Sequence, residues 1–315
     1  MDIRQLRYFI AVAQERNFSR AAEVVHIAQP PLSRQIQQLE DTLGVELLDR
    51  SKRPLVLTDA GQFFYEQARQ IVAKMDQLRR QTRDVAFSRR RRFVIGCVGS
   101  TMYGGIPDLV RRMRAHWPDL DIEIREMMST EQIVALKEGR INVGYGRVRF
   151  NDPDIKRITL REERLFVAFP LGHPKAGICG PISLSEIEGE TLIAYPEKPR
   201  PSFADEVLNL LAEQNVQPGA IEEVREIQTA LGLVASGAGV CIIPAASQRQ
   251  RPDDVCYRMI AEKSATSPII MSYRMNDPSG MIEDIMELIK QMYADRPSWL
   301  QLSELQLTNE YVAET

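Results

Sequence analysis

Phe18-Ser19-Arg20-Ala21-Ala22-Glu23-Val24-Val25-His26-Ile27-Ala28-Gln29-Pro30-Pro31-Leu32-Ser33-Arg34-Gln35-Ile36-Gln37-Gln38-Leu39-Glu40 reads as two short amphipathic helices with a tight turn between them. Ser19 is the expected N-cap of the first, its hydroxyl taking a free N–H of the opening turn. Ala21, Ala22 and Val25 form the inner face, and two small residues in succession let another helix come close. The second helix opens on Gln29-Pro30-Pro31, where proline costs little because a first-turn N–H lacks a helical partner anyway. Leu32, Ile36 and Leu39 fall at i, i+4 and i+7 and face the core. Ser33, Arg34 and Gln37 then point outward near the helix start, where a recognition helix meets base edges. Arg can bind guanine O6 and N7 bidentately, and Gln can read adenine or hold a phosphate.

Upstream, Leu6, Phe9, Ile10 and Ala13 recur at helical spacing and predict a preceding helix. Downstream, residues 45–50 and 54–58 predict two short strands joined by Ser51-Lys52-Arg53, a basic wing suited to phosphate or minor-groove contact. Together these segments predict a winged helix-turn-helix over residues 1–58.

Composition narrows the class. The 315 residues carry 40 Lys+Arg, 43 Asp+Glu and a formal charge of −3, with 44% apolar and 26% charged residues, which is ordinary for a folded protein and excludes a disordered or collagen-like chain. Residues 1–92 hold 17 basic against 11 acidic side chains, and the remainder 23 against 32. A basic head on an acidic body points to a nucleic-acid partner for the head alone. No apolar run reaches the roughly 18 residues of a membrane span, the start does not read as a signal peptide, and a cytoplasmic location is expected. Cys97, Cys179, Cys241 and Cys256 form no Cys-x-x-Cys pair, and His26, His116 and His173 belong to no motif. Neither a metal site nor a cofactor is expected.

Phe64, Ala68, Ile71, Met75, Leu78, Thr82 and Val85 are spaced 4, 3, 4, 3, 4, 3, a heptad seam on a long linker helix over 59–90. A helix of roughly 45 Å at 1.5 Å per residue needs a partner for that stripe, and a second chain fits better than the protein's own body. A dimer would carry two recognition helices to a dyad-symmetric site. Arg89-Arg90-Arg91-Arg92 marks a hinge, as a solvated run or as a phosphate contact.

Beyond it, apolar runs alternate with helical patterns, predicting a mainly parallel α/β domain over 91–300. Crossings at Arg164–Phe169 and Ser267–Tyr273 divide it into two lobes, lobe I about 91–163 and 268–300 and lobe II about 164–267. Residues 301–315 read as a polar tail. Ligands in such sheets bind beyond the carboxyl ends of the strands. Ser100-Thr101 and Ser129-Thr130 sit there, either as helix caps or as donors to an anion, with Arg147 ending a neighbouring strand. Arg147 would hold an anion bidentately or pair with a surface carboxylate. Phe203, after Pro201-Ser202, would cover an apolar ligand or belong to the core, and Ile227-Gln228-Thr229 opens a further helix at the cleft.

Phe9, Phe18–Ala22, Gln29–Ile36, Leu39-Glu40, Leu43-Gly44, Leu47, Arg50 and Leu57-Thr58-x-Ala60-Gly61 resemble the LysR-type transcriptional regulators without a gap over about sixty residues. The resemblance implies DNA contacts at Gln29, Pro30, Ser33, Arg34 and Arg53; with Ser19, Arg20, Pro31 and Gln37 these are the candidate DNA-binding residues. It also implies a linker helix that pairs chains, a homodimer assembling to a homotetramer, and a periplasmic-binding-protein-like effector domain. Ser100-Thr101-x-Tyr103-Gly104, Ser129-Thr130-Glu131-Gln132, Gly144-Tyr145-Gly146-Arg147 and Pro201-Ser202-Phe203 are similar to regulators of aromatic-compound catabolism that answer to cis,cis-muconate or chloromuconate. That similarity implies an effector site lined by Ser100, Ser129, Pro201, Ser202, Phe203 and Thr229, to which strand-end placement adds Thr101, Thr130 and Arg147.

The expectation is therefore a transcriptional activator that binds promoter DNA, takes a small carboxylate and adjusts access for RNA polymerase. A LysR-type regulator of another pathway with a different acid is the alternative. A solute-binding transport protein is disfavoured by the DNA-binding head. An enzyme with Ser100 as nucleophile is disfavoured because no motif places an activating base, and the Ser100 segment lacks the Gly-x-Ser-x-Gly elbow.

Overall fold

The computed structural model describes residues 1–52, 54–86, 91–178 and 180–301. They divide into two compact units, one ending with the linker helix and the other beginning with the strand that follows it.

The first unit contains α1 (Ile3–Glu15), α2 (Phe18–Val24), α3 (Gln29–Leu43), β1 (Leu48–Asp49), β2 (Val56–Leu57) and α4 (Asp59–Ala86). Asp2 and Gln5 cap α1 reciprocally, each side chain accepting the other's backbone N–H. The cap of α2 is Asn17, not Ser19: its Oδ1 accepts from the N–H groups of Ser19 and Arg20 at 2.9 and 3.2 Å. Starting the helix two residues earlier turns the Ser19 side chain to solvent. Gly44 ends α3 in the left-handed conformation at φ 71°.

Phe9, Val12, Ala21, Leu32, Ile36 and Leu39 are fully buried together. Truncating one of the large members, Ile36→Ala for example, would cost about 2–5 kcal/mol. Buried Glu40 joins α3 to the wing, its Oε1 accepting from Leu47 and Leu48 N–H and its Oε2 from Arg50 at 2.6 Å. The wing ladder is shorter than expected, pairing only Leu48 with Leu57 and Asp49 with Val56. Pro54 has no N–H to extend it, and Asp49 accepts from Ser51, turning the chain at once. The Thr58 hydroxyl caps α4 through Gly61 N–H at 2.9 Å. Gly61 is required there, since a Cβ would collide with the Leu47 carbonyl.

The second unit contains β3 (Arg92–Cys97), α5 (Ile106–His116), β4 (Asp121–Glu126), α6 (Ser129–Lys137), β5 (Val143–Gly146), β6 (Ile155–Pro170), β7 (Thr191–Ala194), α7 (Phe203–Glu213), β8 (Ala220–Glu223), α8 (Ile227–Ala235), β9 (Cys241–Pro244), β10 (Val255–Met259), β11 (Thr266–Arg274), α9 (Ile282–Ala294) and α10 (Ser298–Gln301). The large sheet runs β10-β6-β11-β5-β3-β4, with β9 also on β6. The expected parallel order holds for β4-β3-β5 and for the separate pair β7-β8, but every pairing made by β6 and β11 is antiparallel. These two strands carry the chain out to lobe II and back, so they run in opposite senses. Strand β6 passes between the lobes unbroken, residues 155–164 pairing with β11 and residues 165–170 with β9 and β10.

Each lobe has its own core. Lobe I buries Phe93, Ile95, Leu109, Met113, Ile285 and Ile289, and lobe II buries Val167, Phe169, Leu184, Leu231 and Ile243. Among the described residues no helix is long and apolar enough to cross a membrane.

Candidate functional site

Two surfaces gather the expected functional residues. On the first unit, Ser19, Arg20, Gln29, Pro30, Pro31 and Arg34 are exposed and Ser33 half-buried, all at the starts of α2 and α3. Arg34 has no ion pair among the described residues and is available to a base edge or a phosphate. Gln37 is committed within the protein, donating to Asp41 at 3.0 Å and accepting from Arg50 at 2.9 Å. Arg53 lies outside the described residues, as does the expected tail from residue 302 onward. Arg50 was not anticipated as an organiser. It links Gln37 and Glu40 and lies over the Phe18 ring at 5.9 Å, which joins α2, α3 and the wing.

The other surface is the cleft between the lobes of the second unit. Its cavity encloses about 590 Å³, counting space open to solvent. Ser100, Ser129, Arg147, Pro201, Ser202 and Phe203 line it, together with Glu126, Tyr195, Arg225 and Gln228. First residues of α6, α7 and α8 contribute to the wall, so three helix N-termini with free N–H groups face one space.

Lobe I builds its wall around Arg147, which is 2% exposed. Its Nε donates to Ser100 Oγ at 2.8 Å, its backbone N–H to Ser129 Oγ at 3.2 Å, and its Nη2 to Glu163 Oε2 at 2.7 Å. Nη1 is buried without a hydrogen-bond partner among the described residues. Of the alternatives read from the sequence, Arg147 makes an ion pair within the protein, with buried Glu163 and not with a surface carboxylate, and Nη1 is its one nitrogen without a partner among the described residues. Both serine oxygens accept from Arg147, which leaves their hydroxyl protons to donate elsewhere.

The backbone is shaped to permit this. A Cβ at Gly146 would lie 2.7 Å from Ser129 Oγ, so glycine lets α6 start against the end of β5. Gln132, 1% exposed, fixes the same junction by donating to the carbonyls of Met127 and Tyr145 at 3.1 and 3.0 Å. Burial by itself would raise the Glu163 carboxyl, but Arg147, Arg161 and the Ala246 N–H outweigh it and hold the pKa below its ordinary value.

From lobe II, Ser202 donates its hydroxyl to the Pro196 carbonyl at 3.1 Å, so toward a ligand only its oxygen remains. Phe203 is 6% exposed and its ring lies 5.4 Å from that of Tyr195, making it a core residue with one edge on the cavity. The Tyr195 hydroxyl is a second buried group without a partner among the described residues. Gln228 Nε2 donates to Tyr103 Oη at 3.0 Å, spanning the cleft.

Three expected residues do not line this cavity. Thr101 donates to the Val98 carbonyl at 2.7 Å and faces a second space of about 370 Å³ bordered by Tyr145, Arg161 and Tyr293. Thr130 lies one helical step past Ser129, and Thr229 is exposed on α8, where Ile227 and Gln228 take the wall instead. Each residue of a helix rotates by about 100°, so Thr229, two residues past Ile227, points away from the wall that Ile227 helps to form. Glu126 and Tyr195, the last residue of β4 and the residue just after β7, were missed because neither belongs to a motif. No group of three or more His, Cys, Asp or Glu able to hold a metal occurs among the described residues.

Comparison with known proteins places both units in one family. Residues 3–62 match the bacterial regulatory helix-turn-helix protein model of the lysR family, and residues 88–294 match the LysR substrate binding domain. The probable cat1 operon transcriptional activator of Acinetobacter lwoffii is 54% identical over 300 residues, covering 95% of this chain and 99% of the relative. Full-length CbnR in complex with its target DNA is 31% identical with a TM-score of 0.67, covering 93% of this chain and 100% of that one. The BenM effector binding domain with its effector benzoate is 36% identical with a TM-score of 0.63, covering 70% of this chain and 97% of that one. These relatives are regulators and not enzymes, and the chain belongs to the LysR family of DNA-binding transcriptional regulators.

Proposed function

We propose that this LysR-type regulator acts in the cytoplasm as an activator of aromatic-compound degradation genes and takes a small carboxylate, cis,cis-muconate foremost, in the cleft between its lobes. The buried Arg147 Nη1, without a partner among the described residues and beside the Ser100 and Ser129 hydroxyls that accept from the same arginine, carries this reading. A carboxylate there would accept from Nη1, from Ser100 and Ser129, and from helix N-terminal N–H groups. Phe203, Pro199 and Val148 would cover an apolar body.

The candidate DNA contacts are Ser19, Arg20, Gln29, Pro30, Pro31, Ser33 and Arg34, and Arg53 from the wing. In α4, Phe64 packs edge-on against Phe9 at 5.2 Å and Ala68 is buried, whereas Ile71, Met75 and Leu78 remain 46–58% exposed. That second half of the heptad seam supports pairing with another chain, and a dimer of dimers would span an extended promoter and meet RNA polymerase. Ligand shifts the assembly only if it binds one cleft state better than the other. Footprinting and bend-angle measurement on promoter DNA, with and without saturating cis,cis-muconate, test the scheme. A changed footprint or bend is expected, and no change in either would contradict it. The benzoate-bound BenM domain favours one second reading, in which benzoate is the effector.

A further inference from the structure

We infer that Tyr103 and Gln228 form a strap across the mouth of the cleft that controls entry and release of the acid; this rests on the effector reading above. Ser100, Ser129 and Arg147, the groups that would hold a carboxylate, are all buried. A small acid reaches them only when the lobes part. Parting is resisted wherever a side chain of one lobe is bonded to a side chain of the other. At this cavity that bond runs from Gln228 Nε2 to Tyr103 Oη, at 3.0 Å.

The two residues belong to opposite lobes, and each is tied to the site. Tyr103 ends a short 3-10 turn, Gly99–Tyr103, that follows β3. Side chains three apart in such a turn lie on one face, so Tyr103 shares a face with Ser100, which is bonded to Arg147. The Tyr103 ring reaches out of lobe I and packs against the lobe II core. Gln228 is the second residue of α8; it is exposed and lines the cavity beside Ile227. Other bonds between the lobes differ in place. Glu163 with Ala246, and Ser267 with Glu206, involve β6 and β11, the strands that link the lobes. Arg249 with Ser298, at 3.2 Å, lines no part of this cavity. A solvent-facing hydrogen bond changes an equilibrium by about 2–10-fold, a strength suited to a closure that opens at every binding event.

Stopped-flow binding of cis,cis-muconate and of benzoate to the full chain, with dissociation constants from calorimetry, tests this in Tyr103→Phe, Gln228→Ala and the double variant. Tyr103→Phe keeps the ring against lobe II and loses only the hydroxyl. The bond is made on either side of opening, so each single variant should speed association and dissociation together by about 2–10-fold, while the dissociation constant moves less than about 2-fold. The double variant should be no faster than the singles, because the same bond is lost in all three. Unchanged rates in Tyr103→Phe, additive accelerations, or a weaker dissociation constant confined to Gln228→Ala would overturn the strap and leave the effector site standing; the last would make Gln228 a direct ligand contact. Failure of both acids to bind the unaltered protein would overturn the effector reading and this inference with it.

Discussion

Replacing Glu163 by Gln keeps the side-chain volume and removes one charge from the most deeply buried ionic cluster of the effector unit. The Glu163 side chain is 0% exposed and that of Arg147 3%, and Arg161 Nη2 lies 3.6 Å from the same carboxylate. Glutamine would leave two guanidiniums in a buried site without their counter-charge. Breaking a buried pair from one side costs about 3–5 kcal/mol. For a unit of roughly two hundred residues, at about 2–4 °C per kcal/mol, melting should fall by about 6–20 °C. The pH dependence gives a second handle. The folded pKa of Glu163 lies below its unfolded value, so its contribution is present above pH of about 4.5 and is lost as pH falls through the folded pKa. Scanning calorimetry of both proteins from pH 7 downward should therefore show a gap that narrows in acid. The double variant Arg147→Met, Glu163→Leu should recover only part of the loss, because it removes the Arg147 charge with its partner but leaves Arg161 without the carboxylate. A Glu163→Gln protein melting within about 2 °C of the original at pH 7, with no narrowing in acid, would refute the reasoning.

Other expectations follow from single residues. Arg34→Ala should lower specific DNA affinity by ~1–3 kcal/mol, concentrated at one base position in a binding-site substitution series; full discrimination in the variant would remove Arg34 from the base contacts. Ser129→Ala should weaken the effector response about 10-fold or more while DNA binding persists; an unfolded effector unit would instead mark the hydroxyl as structural, through its bond to Arg147 N–H. Burial raises Glu206 to about 7, with Ser267 Oγ 3.2 Å from its carboxylate. Because the folded pKa exceeds the unfolded one, stability is present below pH of about 4.5 and is lost as pH rises toward 7. Glu206→Gln should lift the melting temperature more at pH 8 than at pH 5, and an equal effect at both would contradict this.

What the sequence disclosed follows from how local each signal is. The register of Leu32, Ile36 and Leu39 depends only on helical period, and α3 begins at Gln29 as read. A cap is local too, but Asn17 and Ser19 both suit that role, and only the chain path after Arg16, at φ 49°, decides for Asn17. The single strand β6 was legible only from Arg164 onward, because the charged runs Lys156-Arg157 and Arg161-Glu162-Glu163 break both the alternation and the apolar run that mark a strand. Side-chain commitments were the least legible. Nothing near Arg147 in sequence indicates that Ser100 and Glu163, 47 and 16 residues away, would take two of its three nitrogens. Gln37 likewise looked like a base reader until Arg50, thirteen residues on, claimed it. Glu126 enters the cavity through sheet register and Tyr195 from the chain just beyond β7, neither of which a single chain's pattern specifies.

The central claim is that the cavity around Arg147 is where a small acid controls this regulator. Thermal melting of the full chain against cis,cis-muconate, benzoate, simple dicarboxylates and amino acids, repeated with Ser129→Ala, tests it most directly. At about 100 times its dissociation constant, a bound acid adds about 2.7 kcal/mol and moves the effector-unit transition up by several degrees. The account predicts such a shift with cis,cis-muconate and its reduction in the variant. A shift of equal size in both proteins, or none with any carboxylate, would contradict it.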